Sequence, residues 1–348
     1  MSSAIHRQWN FNLPIVSLAI NRRGDWVALA MGDGSVRLFP AHDEADQPRE
    51  IKLHEGVSLS LQADADDHTF LSGGDDGKVF IVDPQLTAPT LIAEQKNKWI
   101  DHVAASSDGG FRAYSTGKTV RLLDDAGDEK FTASTPSSPG GLAFSPNGKR
   151  LAASHYNGVS LWWTNAKDSA PVKLTWKGSH LGIIWHPDGK TIITAMQEAA
   201  LHGWRLSDNK EMQMQGYAGK VHSMGFTAKS RYLVTSGAEQ AICWPFFGGG
   251  PWGKSPLTLG GSDGRIVSRV APHPKDEMAA AGYEDGMIIL APLDGRMEML
   301  IHPPVAKKGA GVVGLAWNGA GDCLFAGLEN GSVILFTVES VKKSVAHA

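Results

Sequence analysis

Apolar and polar residues alternate with a period of two in short runs along almost the whole chain, the pattern of strands with one face packed and the other more open. The runs come in a fixed order. An alternating apolar run is followed by a polar turn, a second run rich in Ala and Leu, another turn, and a third run of V-x-L-aromatic form. The first copy is IVSLAINRRGDWVALAMGDGSVRLF, from Ile15 to Phe39, and the second is SLSLQADADDHTFLSGGDDGKVFIVD, from Ser58 to Asp83. Further copies begin near Ile100, Pro139, His180, Lys220, Arg265 and Gly311, at intervals of 39 to 46 residues. The turns between second and third runs carry Asp33-Gly34, Asp76-Gly77, Asn157-Gly158, Asp285-Gly286 and Asn330-Gly331. Such pairs tolerate positive φ and favour tight hairpins.

A period of about 40–45 residues with four short strands per unit predicts a β-propeller. The fourth, weaker strand is found near Arg49–Leu53, Pro89–Ala93, Glu129–Ala133, Pro171–Trp176, Glu211–Gln215, Pro256–Leu259 and Met297–Ile301. That gives seven outer strands for eight copies. The segment His6–Phe11 supplies the missing one if it pairs with the last copy, which removes two open sheet edges. The expectation is therefore an all-β chain: a single closed propeller of eight four-stranded blades over residues 1–348, with the N-terminal strand completing the last blade.

Composition narrows the function. The chain has 348 residues, a net charge of −3 and no block of like charge, so the clustered cations that neutralise a phosphate backbone are missing and nucleic acid is not an expected partner. No apolar run approaches the roughly 20 residues that span a bilayer, and the N-terminus lacks a signal-peptide pattern, so a cytoplasmic chain without a membrane partner is expected. Cys243 and Cys323 each sit inside an apolar run and read as buried thiols.

Ala143–Trp163 (AFSPNGKRLAASHYNGVSLWW) and Ile183–Ala195 (IIWHPDGKTIITA), with strand-end aromatics at Trp162, Trp204 and Trp244, resemble the WD-repeat family. The resemblance covers nearly the whole chain, although no copy keeps the Trp-Asp pair and the Gly-His pair is nearly absent. The family's buried His–Ser–Asp–Trp network is implied only in part, by His54, Ser72 and Asp76 in the second copy. The resemblance also implies that loops leading into the innermost strands share one face, the top, with the second-to-third-strand turns.

His54, His102, His180, His222 and His302 lie near that face, as does His155. Converging imidazoles there would suit a transition metal or an anion, and scattered ones would serve local hydrogen bonds. Trp99, Trp176 and Tyr217 flank the same loops, next to Lys98, Lys177 and Lys220, and read either as contact anchors or as packing between blades. Phe246-Phe247-Gly-Gly-Gly-Pro251-Trp252 lengthens the sixth copy on the opposite face, as a docking lip or as a cap. No haem-attachment signature, nucleophile elbow or phosphate loop occurs. The expected function is non-catalytic and cofactor-free: a scaffold that binds a protein or peptide. Its candidate contact residues are Trp99, His102, Tyr156, Trp176, His180, Tyr217, His222, Phe247 and Trp252. The alternative is a propeller that binds a small ligand or metal through its histidine-rich mouth.

Overall fold

The computed structural model describes residues 4–42, 47–166, 170–261, 263–305 and 309–346. Local chemistry sets the hairpins. At the turn between second and third strands, a side-chain oxygen of Asp33, Asp76, Asp285 or Asn330 accepts the backbone N–H two residues on, at 2.9 to 3.1 Å. The glycines that follow, Gly34, Gly77, Gly286 and Gly331, all have positive φ. Antiparallel strands then stack outward in chain order.

The first sheet is Ile15–Ile20, Trp26–Met31, Ser35–Pro40 and Arg49–Lys52. The second runs from Ser58–Ala63 to Thr90–Glu94, and the third from His102–Ala105 to Glu129–Ser134. Next comes a six-stranded sheet, from Gly141–Phe144 to Lys210–Met214. A fifth sheet (Met224–Phe226 to Leu257–Leu259) and a sixth (Val267–Pro272 to Met299–His302) lead to the closing sheet. There Val312–Trp317, Cys323–Leu328 and Ser332–Thr337 are joined by Arg7–Asn10, in the register Arg7↔Leu335 to Asn10↔Ser332. The N-terminal strand thus closes the ring. A helix, Val338–Ala346, for which the strand pattern gave no sign, follows; Val341 packs beside Ala4.

The described strands form seven hydrogen-bonded sheets, which corrects the expected eight four-stranded blades. The fourth and fifth copies do not make separate sheets. Arg150–Trp163 is one continuous strand that pairs with Gly141–Phe144 through its first half and with Val172–Trp185 through its second. Val172–Trp185 in turn pairs onward with Thr191–Met196. The join is physical: Tyr156, at the bend, pairs with Ser179, so the segment expected to be a loop is held as strand. Gly158 (φ 139) and Gly178 (φ 111) take the bends, and a Cβ on Gly158 would meet Leu174 O at 2.0 Å.

The core is divided among the seams. Apolar clusters fill each junction between neighbouring sheets around the ring, and one more lies inside the six-stranded sheet. Cys243 is buried at the junction of the fifth and sixth sheets, and Cys323 where the closing sheet meets the first. Polar staples link positions one repeat apart, within the six-stranded sheet for Trp185 and across a seam for the others. Trp185 Nε1–H donates to Ala143 O (3.2 Å), His273 Nε2–H to Gly321 O (2.7 Å) and Asn21 Nδ2–H to His68 O (3.1 Å). Asn318, at the matching turn of the last copy, reaches Ala41 O at 3.0 Å and links the end of the ring to its start. Arg112 holds Asp64 with two 2.7 Å bonds, a buried pair between the second and third sheets.

Candidate partner-binding surface

The histidines of the top face do not meet. His54 Nδ1–H donates to Asp76 Oδ1 (3.0 Å), and its Nε2 lies 2.9 Å from Ser72 Oγ, with Phe80 edge-on at 5.3 Å. These are the three residues singled out in the second copy, with a phenylalanine beside them. Burial pushes the His54 pKa down despite Asp76, so the imidazole is neutral and two-sided. His155 is held by Tyr156 O and Ser160 Oγ, and His302 by Gly286 O. His222 is exposed. Among the described residues, no group of three or more His, Cys, Asp or Glu is placed to share a metal ion.

The other singled-out residues divide into two sets. The first is packed. His180 is 1% exposed, with Nδ1 2.7 Å from Thr194 Oγ1 and Nε2–H donating to Trp176 O at 3.0 Å. The Trp176 ring stacks on His202 at 4.2 Å and 12°. His202 is 1% exposed and neither ring nitrogen has a hydrogen-bond partner among the described residues; burial, aided by His180, pushes its pKa down to about 4. Tyr217 OH accepts a 2.7 Å bond from Trp244 Nε1–H and lies 2.8 Å from Thr235 Oγ1. Burial raises its pKa. This trio repeats the logic of His54–Ser72–Phe80 with the polar group moved to a phenol.

The second set faces outward. Trp99 is 64% exposed and Tyr156 57%. Trp99 stands beside a groove of about 650 Å³ lined also by Lys98, His102, Lys118, Ser138 and Pro139. His102 Nε2–H donates to Pro139 O at 3.1 Å, and burial keeps this imidazole neutral by lowering its pKa. Asp101, which also lines the groove, accepts the Gly117 N–H (3.0 Å) beside the two lysines. Tyr156 joins the rim because its N–H donates to Ser137 Oγ at 2.9 Å. The sequence reading missed Lys118 and Pro139. Both were within reach of repeat alignment, since Gly117-Lys118 is the second-to-third-strand turn of the same copy and Pro139 opens the next.

On the opposite face, Phe246 is buried against Phe226 (5.2 Å) and His186 (5.7 Å). Trp252 Nε1–H donates to Glu211 O at 2.8 Å. The long loop therefore folds back on the wall, while Phe247 stays 39% exposed.

Antiparallel sheets set radially round a closed ring, each with its first strand innermost, define a β-propeller. Comparison with known proteins bears on the fold alone. The crystal structure of the computationally designed Ika8 protein superposes with a TM-score of 0.73, covering 94% of this chain and 98% of that one at 15% sequence identity. No family profile and no curated protein matches the sequence. No described helix is long and apolar enough to cross a membrane.

Proposed function

We propose that this propeller is a WD-repeat-type platform that acts without catalysis, in the cytoplasm, by holding a protein or peptide against its top face. The observation that carries the reading is the pair of exposed aromatics, Trp99 and Tyr156, near a groove of about 650 Å³ between the third and six-stranded sheets. A large aromatic left in water costs hydration free energy that a partner's contact recovers, and aromatics dominate interface energetics. Strand pairing of Tyr156 with Ser179 fixes the backbone beneath that ring, so little backbone ordering opposes binding there. Family likeness supports the platform reading by analogy only. The second reading, a ligand or metal held by top-face histidines, lacks the converging imidazoles it needs.

The test is affinity capture from native lysate, followed by reconstitution with the purified captured protein. Trp99→Ala combined with Tyr156→Ala should weaken the reconstituted complex by about tenfold or more. An unchanged Kd would sink the assignment of this face.

A further inference from the structure

We propose that a second docking surface lies on the side wall around Phe247, and that its occupant is an extended acidic segment of a partner protein with aliphatic side chains. The loop between Ala241–Pro245 and Leu257–Leu259 is pinned at both ends, by buried Phe246 and by the Trp252 bond to Glu211 O. Lys254 Nζ–H holds the carbonyls of Phe247 and Gly250. What this rigid loop displays is two rings, each flanked by two cations. Arg205 and Lys210 lie 4.8 and 4.5 Å from the centre of Trp252, and Arg231 and Lys254 lie 5.1 and 4.6 Å from that of Phe247. Among the described residues only Arg205 has a carboxylate partner, Asp208 at 2.5 Å. Lys254 is held by its two carbonyls and Arg231 lies over the Phe247 ring, neither with a counter-charge among the described residues, a ready complement for carboxylates.

Phe247 meets Tyr232 at 5.6 Å, and Tyr232 opens onto a groove of about 810 Å³ beside Leu257, Leu259, Pro292 and Leu293. Of the charges that line it, Asp294 pairs with Arg296 at 2.8 Å and Glu298 is oriented by the Gly260 N–H at 2.7 Å, so the occupant's carboxylates fall to Arg231 and Lys254 and its aliphatic side chains to the groove. Leu257, Met297 and Leu300 are exposed along the same wall. Leu257–Leu259 pairs only inward, with Ala241–Cys243, among the described residues. Its other edge offers a ladder for an added strand, while the groove takes alternate side chains. An acidic–aliphatic strand satisfies all three features together.

The experiment is selection from a display library of random peptides on the purified wild-type chain, with the Arg231→Glu chain as counter-target. Enriched peptides should alternate aliphatic residues with carboxylates, and a synthetic consensus peptide should bind the Arg231→Glu chain about tenfold or more weakly. Arg231→Glu leaves the Lys254 hydrogen bonds in place, and Leu257→Asp gives an independent second variant with the same expected loss. The Trp99→Ala chain should bind the peptide like wild type, which separates failure here from failure of the top-face reading. Enrichment of neutral or basic peptides, no enrichment against the counter-target, or preferential binding of a single-stranded oligonucleotide at this wall would overturn the proposal.

Discussion

Trp99 and Trp176 each precede a histidine, by three residues for His102 and four for His180, yet one stands in solvent and the other is stacked. The difference comes from the strand that follows the next second-to-third-strand turn. His202 there faces Thr194, and its flat ring covers Trp176 at 4.2 Å. At the matching place in the third sheet Tyr114 faces Arg121, whose guanidinium lies 5.9 Å from the Tyr114 ring and offers no aromatic ring to Trp99. An aromatic cue at a repeat boundary is therefore neutral between packing and contact; the residue one strand-pair away decides it.

The largest expected effect tests the stacked member. Trp176→Ala removes the cover of a buried imidazole and leaves a gap at the join of the six-stranded sheet. The cost should be about 3–4 kcal/mol, the lower part of the range for losing a packed tryptophan. Urea unfolding measures it, and a loss below about 1 kcal/mol would mean that the stack contributes little.

Acid should act on the same place. His202 titrates at about 4 in the folded chain because burial, then His180, disfavours its charged form. The unfolded chain takes up that proton near the ordinary imidazole value of about 6.5. Its contribution is thus fully present above pH 6.5 and is lost progressively as pH falls toward 4. That loss is about 3 kcal/mol from His202 alone. His54, His102, His155 and His180 are shifted down by burial too and add to it in the same direction. Melting temperature against pH reads the slope; His202→Phe, which keeps a stacking ring, should flatten it. An equally steep slope in that variant would move the acid sensitivity elsewhere.

Third in size is the phenol that takes over from histidine. Tyr217→Phe keeps the ring but strips Trp244 Nε1 of its acceptor and Thr235 of a partner. About 1–2 kcal/mol should be lost in chemical denaturation, the cost of leaving a buried donor unsatisfied. Tyr156→Phe, whose hydroxyl has no such role, is the matched control and should change stability by no more than about 0.5 kcal/mol.

Much of the frame was legible because it is local and repeated. The turns at Asp33, Asp76, Asp285 and Asn330 and the outer strands depend on neighbours in sequence, and the structure has them; the closing strand Arg7–Asn10 pairs with the far end of the chain and was legible from the strand count instead. The sheet count was not legible. Asn157-Gly158 looks like a tight hairpin, but whether strand pairing runs past it depends on Ser179, twenty-odd positions on, meeting Tyr156. The same limit applied to the site. Trp99, Trp176 and Tyr217 share a cue, while their fates hang on Arg121, His202 and Trp244 in other strands. The paired cations over Phe247 and Trp252 were hidden for a related reason: Arg205, Lys210 and Arg231 come from segments that only the folded wall brings together.

The smallest effect on stability is expected at the exposed member of the pair, and it carries the functional reading. Trp99 is 64% exposed and has no stacking partner among the described residues, so Trp99→Ala removes little that folding gained, and the change should stay within about 0.5 kcal/mol. The groove beneath does not depend on it, because Asp101 is held by Gly117 N–H and His102 by Pro139 O in either case. A partner seated there would lose an aromatic anchor and bind more weakly to a chain that melts like wild type. Differential scanning calorimetry and binding measured on one preparation separate the two quantities. Stability lost to the same degree as in Trp176→Ala would show that Trp99 also packs, and the contrast between the two tryptophans would collapse.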